Sequence, residues 1–307
     1  MRTGFKQNVA TILAIQAVLL WAGCDDALGL GISPGAFCAQ GVPVGEKIDT
    51  GVDITVTNNT DKERIFSLTI VEMTPLQSPS LRGYSSMPDL SWFMLEKTEL
   101  TVPANGQATS RITLSIPDDE SYYNQHWGVS CLVEYAGQKG LFQEAVKAVY
   151  MVETKSRENL KGRPHGRLGL APTIVSINPH DKRAVAGFTI YNNTDEARTY
   201  TLTCEMPDDS QGNLVLSTTP GFRRLTEPGR LSIRPASVRI RAGASRRIAV
   251  SLDRNRDAAS IDGTEAVVFV ESDRKEARFV RVQIGQPGSS ADAADGENAG
   301  TETKIKE

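Results

Sequence analysis

The feature that most constrains the fold is an internal repeat at a constant offset of 134 residues. Residues 54–61 read ITVTNNTD, and residues 188–195 read FTIYNNTD. The matches that follow keep the same offset: Arg64 with Arg198, Leu68 with Leu202, and Thr69 with Thr203. Self-similarity at a fixed period is the sequence signature of a duplicated structural unit. The chain is therefore predicted to contain two consecutive copies of one fold.

Each copy has the pattern of antiparallel β-structure. In the first copy Ile54 and Val56 alternate with polar residues before the Asn-Asn-Thr-Asp turn, and Phe66, Leu68 and Ile70 alternate after it. Alternation with a period of two indicates strands with one buried face. Short strands at regular spacing, with Gly and Asn turns between them, are typical of β-sandwiches. We expect an all-β chain of two tandem immunoglobulin-like β-sandwich domains, and 307 residues suffice for two cores.

Changes in composition along the chain predict the domain boundaries. Residues 28–154 form the first Ig-like domain and 168–285 the second. Residues 155–167 are polar, basic and interrupted by Gly and Pro, as interdomain linkers are. Residues 286–307 are poor in large apolar side chains, so burial cannot offset their ordering entropy and a disordered tail is expected.

The N-terminus has the layout of a signal peptide, predicted over residues 1–24. Arg2 and Lys6 precede an apolar run over residues 9–21, which is short for a membrane anchor. Residues 20–24, ending in Cys24, resemble a bacterial lipobox, although Trp21 occupies the usual place of Leu. Two outcomes stay open. Acylation of Cys24 would give a lipid-anchored protein, and ordinary cleavage would release the protein into the periplasm or outside the cell. Only such an anchor would bring the chain to a membrane.

The same motifs carry a family resemblance. A Gly-rich opening ends in Ser33-Pro34, a strand leads into the Asn-Asn-Thr-Asp turn, and Trp92 and the segment 101–107 follow. This arrangement resembles the PapD-like bacterial proteins, which include periplasmic pilus chaperones and related cell-surface proteins. The resemblance implies a chaperone-like accessory, or a component of a pilus or other cell-surface assembly. Its partner would be a protein, such as a pilin-like or surface subunit.

Another interpretation remains beside this one. The chain could be a structural or adhesive surface module that uses its sandwiches as spacers. A third and weaker alternative is an enzyme whose active site leaves no linear motif. The chain contains no nucleophile elbow, no phosphate loop and no paired Ser and His motif. The first expectation is therefore a non-enzymatic protein-binding protein.

The last strand of the first domain is the predicted partner-binding strand. Phe142, Val146, Ala148, Tyr150 and Val152 share the face expected in the core. The opposite face carries Ala145, Lys147, Val149 and Met151. At a sheet edge, the free backbone groups could pair with a strand from another subunit, and the apolar side chains could fill its gaps.

The pilus chaperones that the domain resembles hold their clients by strand addition. They also anchor a client carboxylate with a basic pair, taken from the first and last strands of the domain. The resemblance gives Lys147 the second position of that pair. The first strand, over residues 28–38, contains no basic residue.

Two further expectations concern the first domain. Tyr122 and Tyr123 lie in a loop and are candidates for a binding surface, because exposed Tyr is a common interface anchor. Cys38 and Cys131 fall in one domain on strands whose alternation points both inward, so an exported chain could join them in a disulfide or leave both free. Cys204 occupies the position of Ile70 in the repeat and is expected to be a small buried hydrophobe.

Charge and metal-ligand spacing exclude other classes. The net charge is −3, with 34 basic and 37 acidic residues, which creates no field to collect nucleic acid. The three His residues, at 126, 165 and 180, have no ligand spacing with Cys or with one another. The acidic clusters at 118–120 and 208–209 flank Pro residues and read as solvated turns rather than calcium sites. No cofactor and no metal are expected.

Overall fold

The computed structural model of the chain describes residues 29–73, 81–136, 145–207, 216–253 and 261–288. The predicted signal peptide, Cys24 and residues 289–307 of the predicted tail lie outside these ranges. The described residues form two compact units that divide between Lys155 and Ser156. Residues 81–83 belong to the second unit, although in the sequence they lie within the first unit, between residues 72 and 85. Each unit is a β-sandwich, which confirms the predicted all-β, tandem Ig-like fold.

The first unit packs two sheets face to face. One sheet has the order β1-β3-β8-β6, and the other has the order β2-β10-β9-β4-β7 with β5 added beside β9. The strands are β1 (Leu30–Ser33), β2 (Ala36–Val42), β3 (Lys47–Asn58), β4 (Arg64–Glu72), β5 (Ser85–Ser86), β6 (Phe93–Leu95), β7 (Glu99–Val102), β8 (Gly106–Ser115), β9 (His126–Tyr135) and β10 (Ala145–Thr154).

The second unit repeats this topology strand for strand. Its sheets have the orders β11-β13-β18-β16 and β12-β20-β19-β14-β17, with β15 beside β19. The strands are β11 (Leu168–Ala171), β12 (Ile174–Ile177), β13 (Val185–Asn192), β14 (Arg198–Glu205), β15 (Arg223–Arg224), β16 (Leu231–Arg234), β17 (Ser237–Ile240), β18 (Ser245–Leu252), β19 (Thr264–Ser272) and β20 (Ala277–Ile284). The sequence repeat therefore corresponds to a duplicated sandwich.

Each sandwich opens with a strand that changes sheets. β1 pairs with β3, and after Pro34 the chain continues as β2 in the opposite sheet. In the second unit β11 pairs with β13, and after Pro172 the chain continues as β12. The peptide bonds before both prolines are cis. Proline has no N–H to donate to a ladder, so a sheet pairing ends naturally at these two positions.

The cores follow the alternation read from the sequence. Val56, Phe66 and Leu68 are buried in the first sandwich, and Ile190, Tyr200 and Leu202 are buried in the second. Inward-facing residues of both sheets meet in a single layer, as in other sandwiches. Trp127 is fully buried in the first core, where its ring lies 5.6 Å from that of Trp92.

A buried asparagine ties the two sheets of each sandwich together. Asn58 is the last residue of β3, and its side chain is inaccessible to solvent. Its Nδ2 donates to the carbonyl oxygens of Lys62, Val102 and Pro103 at 2.8, 3.1 and 3.0 Å. Its Oδ1 accepts from the N–H and the hydroxyl of Thr60 at 3.1 and 2.7 Å. One side chain thus joins the β3–β4 turn to the β7–β8 turn, where the chain changes sheets.

The second copy contains the same arrangement. Asn192 Nδ2 donates to the carbonyl oxygens of Glu196, Ile240 and Arg241 at 2.7, 3.1 and 3.0 Å. Its Oδ1 accepts from the N–H and hydroxyl of Thr194 at 3.2 and 2.7 Å. Both asparagines occur in Asn-x-Thr sequences, yet both are completely buried. The identity of the motif therefore reflects the corner that it builds.

Replacement of Asn58 by Ala should destabilise the first sandwich by about 2–4 kcal/mol, because buried carbonyl groups lose their donor. Of the three Trp residues, Trp21 falls in the predicted signal peptide, and Trp92 and Trp127 lie in this sandwich. In protein without residues 1–24, urea unfolding followed by Trp fluorescence therefore reports on this sandwich alone. Asn192→Ala should leave the urea midpoint seen by fluorescence unchanged. It should lower the urea midpoint of the second sandwich, which circular dichroism detects. The exposed Asn59→Ala is the matched control. Equal stability of the Asn58→Ala and Asn59→Ala variants would contradict the assignment.

Candidate partner-binding edge

The strand predicted to bind a partner has a free edge along its first half. β10 pairs antiparallel with β9 from Ala145 to Glu153. On its other side it pairs with β2, but only from Val149 onward. Among the described residues, no strand pairs with residues 145–148 on the side away from β9. The first half of β10 is therefore a sheet edge, and the second half lies inside the sheet.

The backbone direction along β10 follows from one hydrogen bond. The N–H of Val149 donates to the carbonyl oxygen of Gly35 at 3.0 Å, on the β2 side. The N–H and C=O of a strand residue point to one side, and the side alternates along the strand. The backbone groups of Ala145 and Lys147 thus point toward the free edge, and those of Val146 and Ala148 point toward β9.

The side chains along this edge leave it accessible. Ala145 and Lys147 are exposed, Val146 is half-buried, and Ala148 is completely buried in the core. Edge strands often carry a lysine, because its charge discourages uncontrolled pairing between sheets. Ala145 adds little bulk. An incoming strand can therefore reach the backbone of residues 145–148 with little obstruction.

The second copy supplies a direct comparison. β20 pairs with β12 only from Arg281 onward, so its first half also lacks a strand partner among the described residues. There, however, Phe279 and Val280 are completely buried. Arg278 Nη1 donates to the carbonyl oxygen of Gly83 at 3.3 Å, and residues 81–83 belong to this unit. The same half-strand is covered in the second copy and accessible in the first.

Two of the residues predicted on the partner-binding face lie elsewhere in the sheet. The backbone of Val149 and Met151 pairs with that of Ala36 and Cys38 in β2. Met151 is 5% exposed and cannot fill gaps in a partner strand. The prediction overlooked that the chain changes sheets after Pro34 and returns beside β10. The candidate edge is accordingly reduced to residues 145–148, with Ala145 and Lys147 as its exposed side chains.

The predicted Tyr loop is part of the first core. The ring of Tyr122 lies 4.8 Å from that of Trp92 and 5.7 Å from that of Trp127. Tyr122 and Tyr123 are both half-buried and pack against the core cluster. Asp119 caps the short 3₁₀ turn at 120–122 through its carboxylate, which accepts from the N–H of Ser121 at 2.8 Å. These tyrosines close one part of the sandwich and do not form an exposed anchor.

The predicted Cys38–Cys131 disulfide is not formed. No disulfide joins the two residues, and the register places one strand between them, with Cys38 opposite Met151 and Cys131 opposite Ala148. Two strand spacings of about 4.8 Å each already exceed the Cα separation of about 7 Å that a disulfide tolerates. The inward direction assigned to Cys38 was also wrong. Its neighbours Phe37 and Ala39 pack on the core, and Cys38 faces the opposite side of the sheet.

Cys38 joins a buried polar cluster that the sequence pattern did not reveal. Tyr84 donates its hydroxyl proton to Glu153 Oε1 at 2.6 Å, and Cys38 Sγ lies 3.5 Å from the same oxygen. Tyr84 and Glu153 are both about 4% exposed. The hydrogen bond holds the segment that leads into β5 against the outer face of β10. The alternation along β10 predicts that Glu153 faces outward. The sequence around Glu153 does not indicate that the segment containing Tyr84 covers it.

A corresponding contact in the second unit is an ion pair. Arg281 Nη1 lies 2.7 Å from Glu265 Oε1, and both side chains are almost inaccessible to solvent. Glu265 Oε1 also accepts from the N–H of Thr219, and Arg281 donates to the carbonyl oxygen of Ser217. The segment that leads into β15 is thereby fixed on the sheet. Both carboxylates therefore have structural partners.

The described residues offer neither a metal site nor a membrane-spanning helix. Within the ranges that the structure describes, no group of His, Cys, Asp and Glu side chains is arranged to hold a metal ion. Those same ranges contain no helix with the length and apolar character to cross a bilayer.

The fold and the edge together define the class. The chain is a two-domain β-sandwich protein with an accessible edge on the last strand of its first domain. Three solved structures are similar to it. The first is a protein of unknown function from Porphyromonas gingivalis W83, which is 12% identical, with 84% of this chain and 100% of that chain covered and a TM-score of 0.31.

The other two are chaperone structures. The periplasmic chaperone SfaE is 13% identical, with coverage of 83% of this chain and 100% of its own and a TM-score of 0.28. The CsuC–CsuE chaperone–tip adhesion subunit pre-assembly complex from Acinetobacter baumannii matches at 10% identity, with 84% and 99% covered and a TM-score of 0.29. At these identities and TM-scores the likeness carries no argument about what this chain does. Neither a protein-family model nor a curated protein sequence matches the chain.

Cys131 and Cys204 should resist alkylation in the native protein. Burial raises the pKa of the Cys131 thiol to about 12 and that of Cys204 to about 11, so little reactive thiolate exists near neutral pH. Iodoacetamide at pH 8 should label neither residue before denaturation and both afterwards, as measured by peptide mass mapping. A mapped peptide pair containing a Cys38–Cys131 disulfide would contradict the structure, in which no disulfide joins these residues.

Hydrogen exchange should distinguish the two sides of β10. The amides of Ala145 and Lys147 should exchange rapidly, because no described strand accepts their protons. Those of Val146 and Ala148 should be protected by pairing with β9. The measurement is residue-resolved amide exchange by NMR, with Val149 and Met151 as protected references on the β2 side. Strong protection of Lys147 in the isolated monomer would show that the edge is already paired.

Proposed function

We propose that this chain is an exported, non-enzymatic protein-binding protein that acts as a chaperone-like accessory or a component of a pilus or other cell-surface assembly. It takes a strand of its partner, such as a pilin-like or surface subunit, along residues 145–148 of β10. The observation that supports this proposal is the accessible, unpaired half of β10 in the first sandwich.

The physical basis is backbone pairing at a sheet edge. Ala145 and Lys147 direct their N–H and C=O groups outward, and each such residue offers one donor and one acceptor. Strand addition draws its affinity from main-chain hydrogen bonds and its specificity from alternate side chains. The buried equivalent in β20 concentrates this function in the first sandwich.

The carboxylate anchor implied by the resemblance has only one of its two basic residues here. Lys147 is exposed beside the edge, whereas β1 and β2 contain neither Lys nor Arg. A single exposed ammonium group makes a weak, screened contact with a carboxylate. Recognition is therefore attributed to the backbone of β10, with Lys147 as a solubilising charge that a partner strand can pass.

Export is the second part of the proposal. It rests on the charged and apolar pattern of residues 1–24, in the layout of a signal peptide. Cys24 would decide between a lipid-anchored and a released protein. The mass of the mature N-terminus measures that choice directly, because acylation adds lipid to Cys24 and ordinary cleavage does not.

Site-specific photo-cross-linking tests the edge in the cell that makes the protein. A photoreactive residue at Ala145 should capture a protein partner, and the same residue at Ala104, exposed in the β7–β8 turn, should not. Lys147→Pro should reduce the cross-linked product about tenfold, because proline removes an edge N–H and blocks pairing. Lys147→Ala keeps the N–H and should retain most of it.

The outcomes separate the candidate roles. Loss of the product with Lys147→Pro but not with Lys147→Ala supports strand addition, provided that Trp fluorescence shows an intact first sandwich. Equal loss in both variants would assign the contact to the Lys147 side chain. Absence of any product at Ala145, with normal export and folding, would reject the binding role and favour sandwiches that act as spacers.

A further inference from the structure

The outer face of the smaller sheet in the second sandwich carries a groove lined by arginines. Gly187 of β13 lies opposite Ala249 of β18, and Ala249 lies opposite Arg234 of β16. In the next row Thr189 lies opposite Arg247. These residues alternate with Phe188 and Ile248, which face the core. The groove has a volume of about 310 Å³. Small residues, Gly187 and Ala249, therefore form the floor of the groove, and arginine side chains form its sides.

The groove also has an apolar rim and further positive charge. Val185, at 52% exposure, is one of two large hydrophobic side chains exposed among the described residues. Arg246 borders the same groove, although it shares the strand parity of Ile248, which faces the core. Arg234, Arg246 and Arg247 are all exposed. A cationic groove with an apolar rim fits a ligand that has both carboxylates and a short apolar surface.

The first copy shows which chemistry occupies this position. Asp53 lies opposite Arg111, as Gly187 lies opposite Ala249. Arg111 Nε donates to Asp53, its Nη2 reaches the other oxygen of Asp53 at 3.2 Å, and its Nη1 reaches Asp49 at 3.0 Å. The hydrogen bond from Arg111 lowers the pKa of Asp53, so the carboxylate stays ionised. In the first copy this surface thus satisfies an arginine with carboxylates of the chain itself.

The second copy keeps arginines at this surface and lacks those carboxylates. Gly187 replaces Asp53 in the repeat. Residues 228–252, which span β16 to β18, contain six arginines and no Asp or Glu. The equivalent part of the first copy, residues 90–114, contains Glu96 and Glu99 beside Lys97 and Arg111. The difference is therefore local to the segment that lines the groove.

The charge of the whole second domain agrees with this difference. Residues 156–288 contain eighteen Arg and three Lys against fifteen Asp and Glu, whereas residues 1–155 contain eleven basic and seventeen acidic residues. The overall charge of −3 conceals this division. Arginine is the residue suited to planar, two-point recognition of carboxylates. A domain with this composition attracts anionic partners over a longer range than the groove itself.

The geometry points to a second binding site, distinct from the β10 edge: the groove between Arg234 and Arg247 binds an acidic, extended protein segment. Its carboxylates pair with the guanidinium groups, of which that of Arg247 lies directly over Gly187, and its backbone lies over Ala249, where the small side chain permits close approach. One acidic group already lies nearby, since Glu158 Oε1 is 3.7 Å from Arg247 Nη2. Both groups are more than half exposed, and such a pair exchanges readily for a better-placed carboxylate.

The test uses the purified full chain and a fluorescein-labelled peptide that alternates aspartate with alanine. Fluorescence anisotropy at low salt should show binding, and a peptide with asparagine in place of aspartate should not bind. Arg234→Gln combined with Arg247→Gln should weaken binding about tenfold or more, because two charge-assisted contacts are lost. Arg239→Gln combined with Arg241→Gln is the matched control, since it removes the same charge from exposed positions on and beside β17.

A further variant tests the groove without the loss of any arginine. Ala249→Glu places a carboxylate on the floor between Arg234 and Arg247, as Asp53 does beside Arg111. It should abolish peptide binding and leave the circular dichroism spectrum and thermal transition of the second sandwich unchanged. Binding at the β10 edge, measured by the cross-link at Ala145, should persist in this variant, so the two sites can fail independently.

Three results would overturn the inference. Equal weakening by the two double variants would reduce the effect to net charge. Full binding of the peptide to Ala249→Glu would place the site elsewhere. Preferential displacement of the peptide by inorganic phosphate, or by vesicles of phosphatidylglycerol in phosphatidylcholine, would show a general anion or membrane surface in place of a carboxylate site.

Discussion

The buried side chains of Asn58 and Asn192 hold the corners on which both sandwiches depend. In each copy one amide group bonds the turn that leaves the first sheet to the turn that returns to it. A buried carbonyl without a donor costs more than a typical hydrogen bond contributes, so these positions accept few substitutes. This requirement explains why the Asn-Asn-Thr-Asp turn is the best-preserved part of the repeat while the core residues around it differ. The corner fixes the register of β3 against β8 and therefore the direction of every side chain on that sheet.

With the scaffold fixed in this way, the two copies differ at their surfaces. The first half of β10 is accessible, and the first half of β20 is buried with residues 81–83 packed against it. Conversely, Arg111 of the first copy is paired with Asp49 and Asp53, whereas the corresponding face of the second copy carries Arg234 and Arg247 around Gly187. The second copy thus covers the half-strand that the first copy exposes, and the first copy pairs an arginine on the sheet face where the second copy exposes arginines. A duplicated fold acquires two distinct surfaces in this way without any change in its topology.

Part of the candidate site was visible in the sequence. Alternation along residues 145–152 separated the core face, with Ala148, Tyr150 and Val152 buried as expected, from the face that carries Lys147. The repeat likewise located Cys204 beside a hydrophobic core. The position of the free edge was not visible, because it depends on where β2 begins to pair with β10 after the chain changes sheets at Pro34. The same sheet change turned Cys38 away from Cys131, and long-range packing drew Tyr122 onto Trp92 and Trp127. None of these contacts leaves a local pattern, since the partners are distant in sequence.

The sequence by itself determined the duplication, the all-β sandwich fold, the buried faces of the strands and the turns that join them. Those properties follow from local alternation, turn chemistry and a repeat at a constant offset, all of which operate within a few residues or between two similar segments. Only the tertiary structure decided which strand edges are covered, which carboxylates are buried, and which arginines pair with carboxylates of their own sheet. Glu153 and Glu265 have the parity of surface residues, yet both are buried because the segments before β5 and β15 fold back over them. Exposure depends on what packs against a face, and that is a property of the assembled sheets rather than of any strand alone.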